Sequence, residues 1–106
     1  MQVNLYELLD QYYVGLDEHD NEVFSISCRL AEYLLSVLKY KPLPSRAIKK
    51  LPHLTKHIKY NGMSDIWPEK PILIKEDEME LVDGLTRLTA LSLAQGCGTM
   101  LTIKLI

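Results

Sequence analysis

Cysteine, tryptophan, phenylalanine and long apolar runs are all scarce in this chain, which holds two cysteines, one tryptophan and one phenylalanine in 106 residues. With only Cys28 and Cys97 there is no disulfide framework, and a bond between these two is not indicated by their spacing. Neither has a second thiol or a histidine at metal-ligand spacing, so zinc is not expected. No apolar run reaches the ~20 residues of a membrane helix, and the polar start Met1-Gln2-Val3-Asn4 lacks a signal-peptide pattern. A cytoplasmic protein without a membrane partner is the expectation. Internal repeats and low-complexity tracts are missing as well.

What is present suits a globular domain. Hydrophobic residues make up 47% and charged residues 25%, with a net charge of −2, which argues against disorder and against a polycation. A single domain over residues 1–106 is expected, long enough to bury about 60–65% of the surface its unfolded chain exposes.

Charge is distributed unevenly. Lys39, Lys41, Arg46, Lys49, Lys50, Lys56 and Lys59 follow one another with no acid between them, joined by His53 and His57. A positive face on an acidic protein suits phosphate or nucleic-acid contact, with Lys49, Lys50, Lys56 and Lys59 as candidates; the alternative is a solvated helix surface. No aromatic ladder for stacking bases accompanies it. His53 and His57 stand at i, i+4, a spacing that can hold a metal. The glutamate of an H-E-x-x-H motif is missing, since Leu54 follows His53, and exposed helix histidines are the preferred reading.

Along the chain, Val3 and Leu5 alternate with polar neighbours and predict a strand over residues 3–9, and residues 17–21 predict a loop. Phe24, Cys28, Ala31, Leu35 and Leu38 recur at helical spacing, predicting a long, broadly apolar helix over about residues 22–40 that is either buried or shared with a partner. Ser45 is placed to cap a short helix through Leu51, Pro52 to begin the next helix, and Asn61-Gly62 to close it. Trp67-Pro68 reads as a linker. Ile72-Leu73-Ile74 and Met79-Glu80-Leu81-Val82 flank the acidic turn Glu76-Asp77-Glu78 as a hairpin-like pair. A helix carrying Leu88, Leu91 and Ala94 follows, then a strand in which Leu101, Ile103 and Leu105 alternate with Thr102 and Lys104. The expected fold is α+β (or α/β), a small mixed sheet with about three helices.

The most informative segment is Asp83-Gly84-Leu85-Thr86-Arg87-Leu88-Thr89-Ala90. It sets a glycine and then an arginine at a helix start, where free amides and the helix dipole favour an anion. Gly84 would let a ligand approach the backbone, Thr86 would add a hydroxyl, and Arg87 would offer planar donors beside the amides of Leu85, Thr86 and Arg87. The alternative is a surface arginine after a tight turn. Asp83 is either the helix N-cap, the preferred reading, or a carboxylate holding a metal beside the phosphates.

Gly84-x-x-Arg87-x-x-Ala90 resembles the G-E-R-R-x-x-A box of the ParB N-terminal domain, within the ParB/sulfiredoxin-like superfamily that includes ParB-like nucleases. The helix ending in Asn61-Gly62, the strand Pro71-Ile72-Leu73-Ile74, the approach Glu80-Leu81-Val82-Asp83-Gly84 and the closing strand after Gly96 are similar in order and spacing over about residues 50–106. The helices before residue 50 would be additions. The resemblance implies binding of a CTP-like nucleoside triphosphate with Mg2+, or of a nucleic-acid phosphate. Leu85 and Thr86 replace the usual glutamate and arginine or histidine, which puts metal-assisted hydrolysis in doubt. They also stand where sulfiredoxin has its G-C-H-R nucleophile, so sulfiredoxin chemistry is not expected, and Cys97 is not assumed to replace it.

No complete catalytic constellation is visible, and the catalytic residues stay unassigned. A metal-dependent DNase is the weaker enzymatic alternative. From another class comes a catalytically inactive interaction module, with a protein partner or a second copy meeting the apolar helix. The sequence ends at Ile106 after the last expected strand, so operator-specific DNA binding is not expected without a partner.

Overall fold

The computed structural model describes residues 4–61 and 70–106, which build a mixed α+β fold around a five-stranded sheet. Helix α1 (Leu5–Asp10) leads through strand β1 (Tyr13–Leu16) to β2 (Glu22–Ser27) and helices α2 (Cys28–Val37) and α3 (Ser45–Asn61). Strands β3 (Ile72–Lys75) and β4 (Glu80–Asp83), helix α4 (Leu85–Leu93) and strand β5 (Gly98–Leu105) follow. The sheet order is β1-β2-β5-β3-β4, antiparallel except where β3 runs parallel to β5. Among the described residues no helix is long and apolar enough to cross a membrane.

Residues 3–9 were expected as a strand, yet Leu5 opens a helix. Asn4 caps it, its side-chain oxygen accepting from the Glu7 N–H at 3.1 Å, and Leu5 and Leu9 fall on one buried face at i, i+4 spacing. Val3 lies outside the described residues. Strand β1 was not foreseen at all. The loop at 17–21 is present, organised by Asp17, whose carboxylate accepts from the backbone N–H groups of His19 and Asn21, both at 2.9 Å.

The expected helix over 22–40 divides at Ser27. Phe24 and Ile26 point inward at period two while Ser25 and Ser27 are exposed, so β2 is a strand; Ser27 then caps α2 by accepting from Leu30 N–H at 3.0 Å. The two expected helices around Pro52 are instead the single helix α3. Ser45 is its first residue and not its cap, since the Pro44 carbonyl accepts from Ala47 and Ile48. Pro52 sits on an exposed flank, where water can serve the carbonyl that loses its partner. The described residues contain four helices and a mixed sheet, the small α+β fold expected. Asn61 closes α3; Gly62, Trp67 and Pro68 lie outside the described residues.

From β3 onward the expected elements occur. Phe24, Ile26, Ile72, Ile74, Leu81, Leu101 and Ile103 face the core, whereas Ser25, Lys75, Met100 and Lys104 are exposed, the alternation of a sheet covered on one face. Helices α2 and α3 both pack on α4. That central position explains why α4 buries Leu88, Ala90, Leu91 and the following Ala94 completely, each leucine contributing about 1.5–3 kcal/mol of burial. It also fixes which way the amino end of α4 opens.

Candidate anion cleft at the amino end of α4

Strand β4 ends at Asp83, and Gly84 turns the chain into α4 with φ +108°, a conformation that L side chains rarely adopt. The space beside it is equally restrictive: a Cβ on Gly84 would lie 2.7 Å from Ile72 Cγ1. Gly84 is therefore required by packing against β3 as well as by its backbone angle. It occupies the N-cap position with no side-chain cap, and its carbonyl accepts from Leu88 N–H at 3.0 Å. The amides of Leu85 and Thr86 precede the first intrahelical bond and have no acceptor within the helix.

Asp83 is thus not the N-cap. Its carboxylate pairs with Lys70 Nζ at 3.2 Å in a half-exposed ion pair. The cap belongs to the residue that can hold a left-handed backbone, and the carboxylate, one residue earlier, faces the chain entering β3.

Arg87 is the least expected feature. Only 4% exposed, it donates from Nη1 to the Lys70 carbonyl and from Nη2 to the Pro71 carbonyl at 3.4 Å. Burial pulls its pKa below the ordinary arginine value, and the nearby Asp83 carboxylate pushes it back up. The guanidinium fastens the segment entering β3 to the first turn of α4, and backbone carbonyls engage donors that the sequence offered to phosphate.

Around this turn lies a cleft of about 510 Å³. Asp83, Gly84, Leu85, Thr86 and Arg87, all expected as site residues, line it together. Lys50 joins them from α3, as do Arg46 one helical turn earlier and Lys70 before β3. Four cationic side chains and one carboxylate therefore share the cleft among the described residues. Sequence reasoning had not placed Arg46 or Lys70 in the site. Arg46, Lys50 and Leu54 at i, i+4, i+8 are a legible signal for one helix face; nothing local marks Lys70.

The remaining basic candidates separate from this group. Lys56 and Lys59 line a different groove of about 640 Å³ with Ile48, Leu51, Tyr60 and Leu93, while Lys49 is exposed and lines neither. His53 is exposed; His57 is half-buried, and its Nε2 and the neighbouring Thr55 Oγ1 are shielded without a hydrogen-bond partner. No three His, Cys, Asp or Glu side chains converge on a metal position among the described residues.

The chain matches no family model, no curated protein and no solved structure. The likeness to the ParB box thus rests on the quoted residues alone.

A phosphate chain suits the positive lining of the cleft. The donor set does not fit magnesium: Asp83, the one carboxylate lining the cleft among the described residues, is engaged by Lys70.

Proposed function

We propose that the cleft at the amino end of α4 binds the phosphate groups of a nucleotide or nucleic acid in the cytoplasm. The observation that carries this reading is the convergence of Arg46, Lys50 and Lys70 on a helix start whose leading amides lack helical acceptors. Arg46 and Lys50 come from α3 and Lys70 from the chain before β3, so the charge is gathered from separate elements. In this reading the Leu85 and Thr86 amides and the Thr86 hydroxyl meet phosphate oxygens. Arg87 positions Lys70 through the carbonyls it holds and adds positive potential from below. Asp83 opposes the anion and limits its affinity.

The likeness to the ParB box makes a CTP-like triphosphate the first ligand to test. Titration of the wild type and of the Lys50→Ala, Lys70→Ala double variant with CTP, ATP and a short DNA duplex, each with and without Mg2+, discriminates the cases. Saturable nucleotide binding weakened at least ~10-fold in the double variant supports a nucleotide site. Steeply salt-dependent duplex binding alone supports a nucleic-acid contact. Unaltered affinities in the double variant refute the reading.

A second reading, a protein-interaction module, draws support from the groove between α3 and α4, where Ile48, Tyr60 and Leu93 are 53%, 77% and 53% exposed. Its original motive, an apolar helix over 22–40, falls away because that segment divides and α2 buries Leu30, Ala31 and Leu34.

A further inference from the structure

Strands β2 and β5 pair antiparallel from Val23↔Thr102 to Ser27↔Gly98, and the next opposed pair in that register is Cys28 and Cys97. The ladder does continue by one bond, the Cys28 N–H donating to the Cys97 carbonyl at 3.0 Å. Cys28 opens α2 directly after β2 and Cys97 stands one residue before β5, so the two residues flank the end of the ladder, with Cys97 packed against the core. One backbone hydrogen bond joins the two residues, and residues joined in that way have Cα atoms about 5–6 Å apart, inside the roughly 4.4–6.8 Å that a disulfide spans. Both thiols are free and half-buried. Cys28 opens α2, and Cys97 lies between Gly96 and Gly98 in the connection from α4 to β5.

We propose that Cys28 and Cys97 are a redox pair that closes to an intrachain disulfide by exchange with a small-molecule disulfide of the glutathione type. One thiolate attacks a sulfur of the oxidant, forming a mixed disulfide and releasing the first small thiolate. The second protein thiolate then attacks the protein sulfur of that mixed bond, forming Cys28–Cys97 and releasing the second. The two protein thiols lose two electrons to the oxidant, and their protons end on the two released thiols. The bond joins the start of α2 to the start of β5 and encloses about 70 residues, including every element that lines the anion cleft. Oxidation therefore restrains the scaffold of the cleft without touching the cleft.

The test is to equilibrate the native full chain in glutathione buffers of increasing oxidised fraction, block remaining thiols, and analyse it by mass spectrometry and non-reducing peptide mapping. The expected product is a monomer lighter by two hydrogens that yields a cross-linked Cys28–Cys97 peptide. Reductant reverses it, and its Tm exceeds that of the reduced chain by at least about 5 °C. Cys28→Ser and Cys97→Ser each carry a glutathione adduct at the remaining cysteine and show no such rise. Persistent adducts at both cysteines, covalent dimers in place of the cross-link, or a cross-link formed only in denaturant would overturn the proposal. A cross-link that lowers Tm would equally contradict a native geometry suited to the bond.

Discussion

Helix α3 carries lysines on two flanks, and the two flanks lie in different surroundings. On one, Arg46 and Lys50 share a cleft with Lys70, the buried Arg87 and the leading amides of α4. On the other, Lys56 and Lys59 border exposed apolar side chains, Ile48, Tyr60 and Leu93, over the far end of α4. Two similar stretches of basic residues therefore differ in what surrounds them. Lysine stems can lie along apolar surface with their ammonium groups in water, so the second flank needs no anion to account for it. The first gathers charges from separate elements around the amino end of a helix, and that convergence distinguishes a candidate site from a solvated face.

The largest expected effect comes from the floor of the cleft. Gly84→Ala adds a Cβ against Ile72 and imposes a side chain on a left-handed backbone, which should cost about 2–4 kcal/mol in urea unfolding. Its counterpart on the other flank, Leu93→Ala, is half-exposed and should cost much less, about 0.5–1 kcal/mol. Equal costs would break the distinction. Arg87→Met comes next: it leaves the Lys70 and Pro71 carbonyls without their donor and should destabilise by about 1–3 kcal/mol, whereas Lys59→Met should change stability by less than about 0.5 kcal/mol.

Charge reversal sharpens the same contrast in binding. Lys50→Glu should weaken triphosphate affinity at least ~10-fold at low salt, about 1.4 kcal/mol, while Lys59→Glu should change it less than about two-fold. The smallest effect belongs to Asp83→Asn. Removing the carboxylate from the cleft should raise anion affinity about two- to five-fold, with a stability loss under about 1 kcal/mol because its ion pair with Lys70 is half-exposed. Calorimetric titration and urea unfolding of the same variant check both parts.

Much of the carboxy-terminal architecture was legible because one periodicity dominates each segment. Leu101 and Ile103 alternate inward along β5, and Leu88 and Leu91 mark one face of α4. Residues 22–40 misled because Phe24, Cys28 and Ala31 fit helical spacing while Phe24 and Ile26 fit a strand equally well. The capping hydroxyl of Ser27 was the local cue to the boundary. Pro52 looked like a helix start, yet an exposed flank tolerates it within α3.

In the site, local spacing was enough to group residues 83–87, but it did not separate Lys50, which lines the cleft, from Lys49, Lys56 and Lys59, which do not. It held no information about the arrival of Lys70 and Pro71 beside Arg87, nor about the register that sets Cys28 opposite Cys97. Both depend on strand pairing between segments distant in sequence, and no local pattern encodes that pairing.

The most direct test of the central claim is a backbone-amide NMR titration of the wild type with inorganic triphosphate. The account predicts saturable shifts concentrated at Leu85, Thr86, Arg87, Lys50 and Lys70, with Thr55, Lys56, Lys59 and Tyr60 unmoved. Shifts confined to the Lys56 and Lys59 flank, or no saturable shift at residues 85–87, would contradict it.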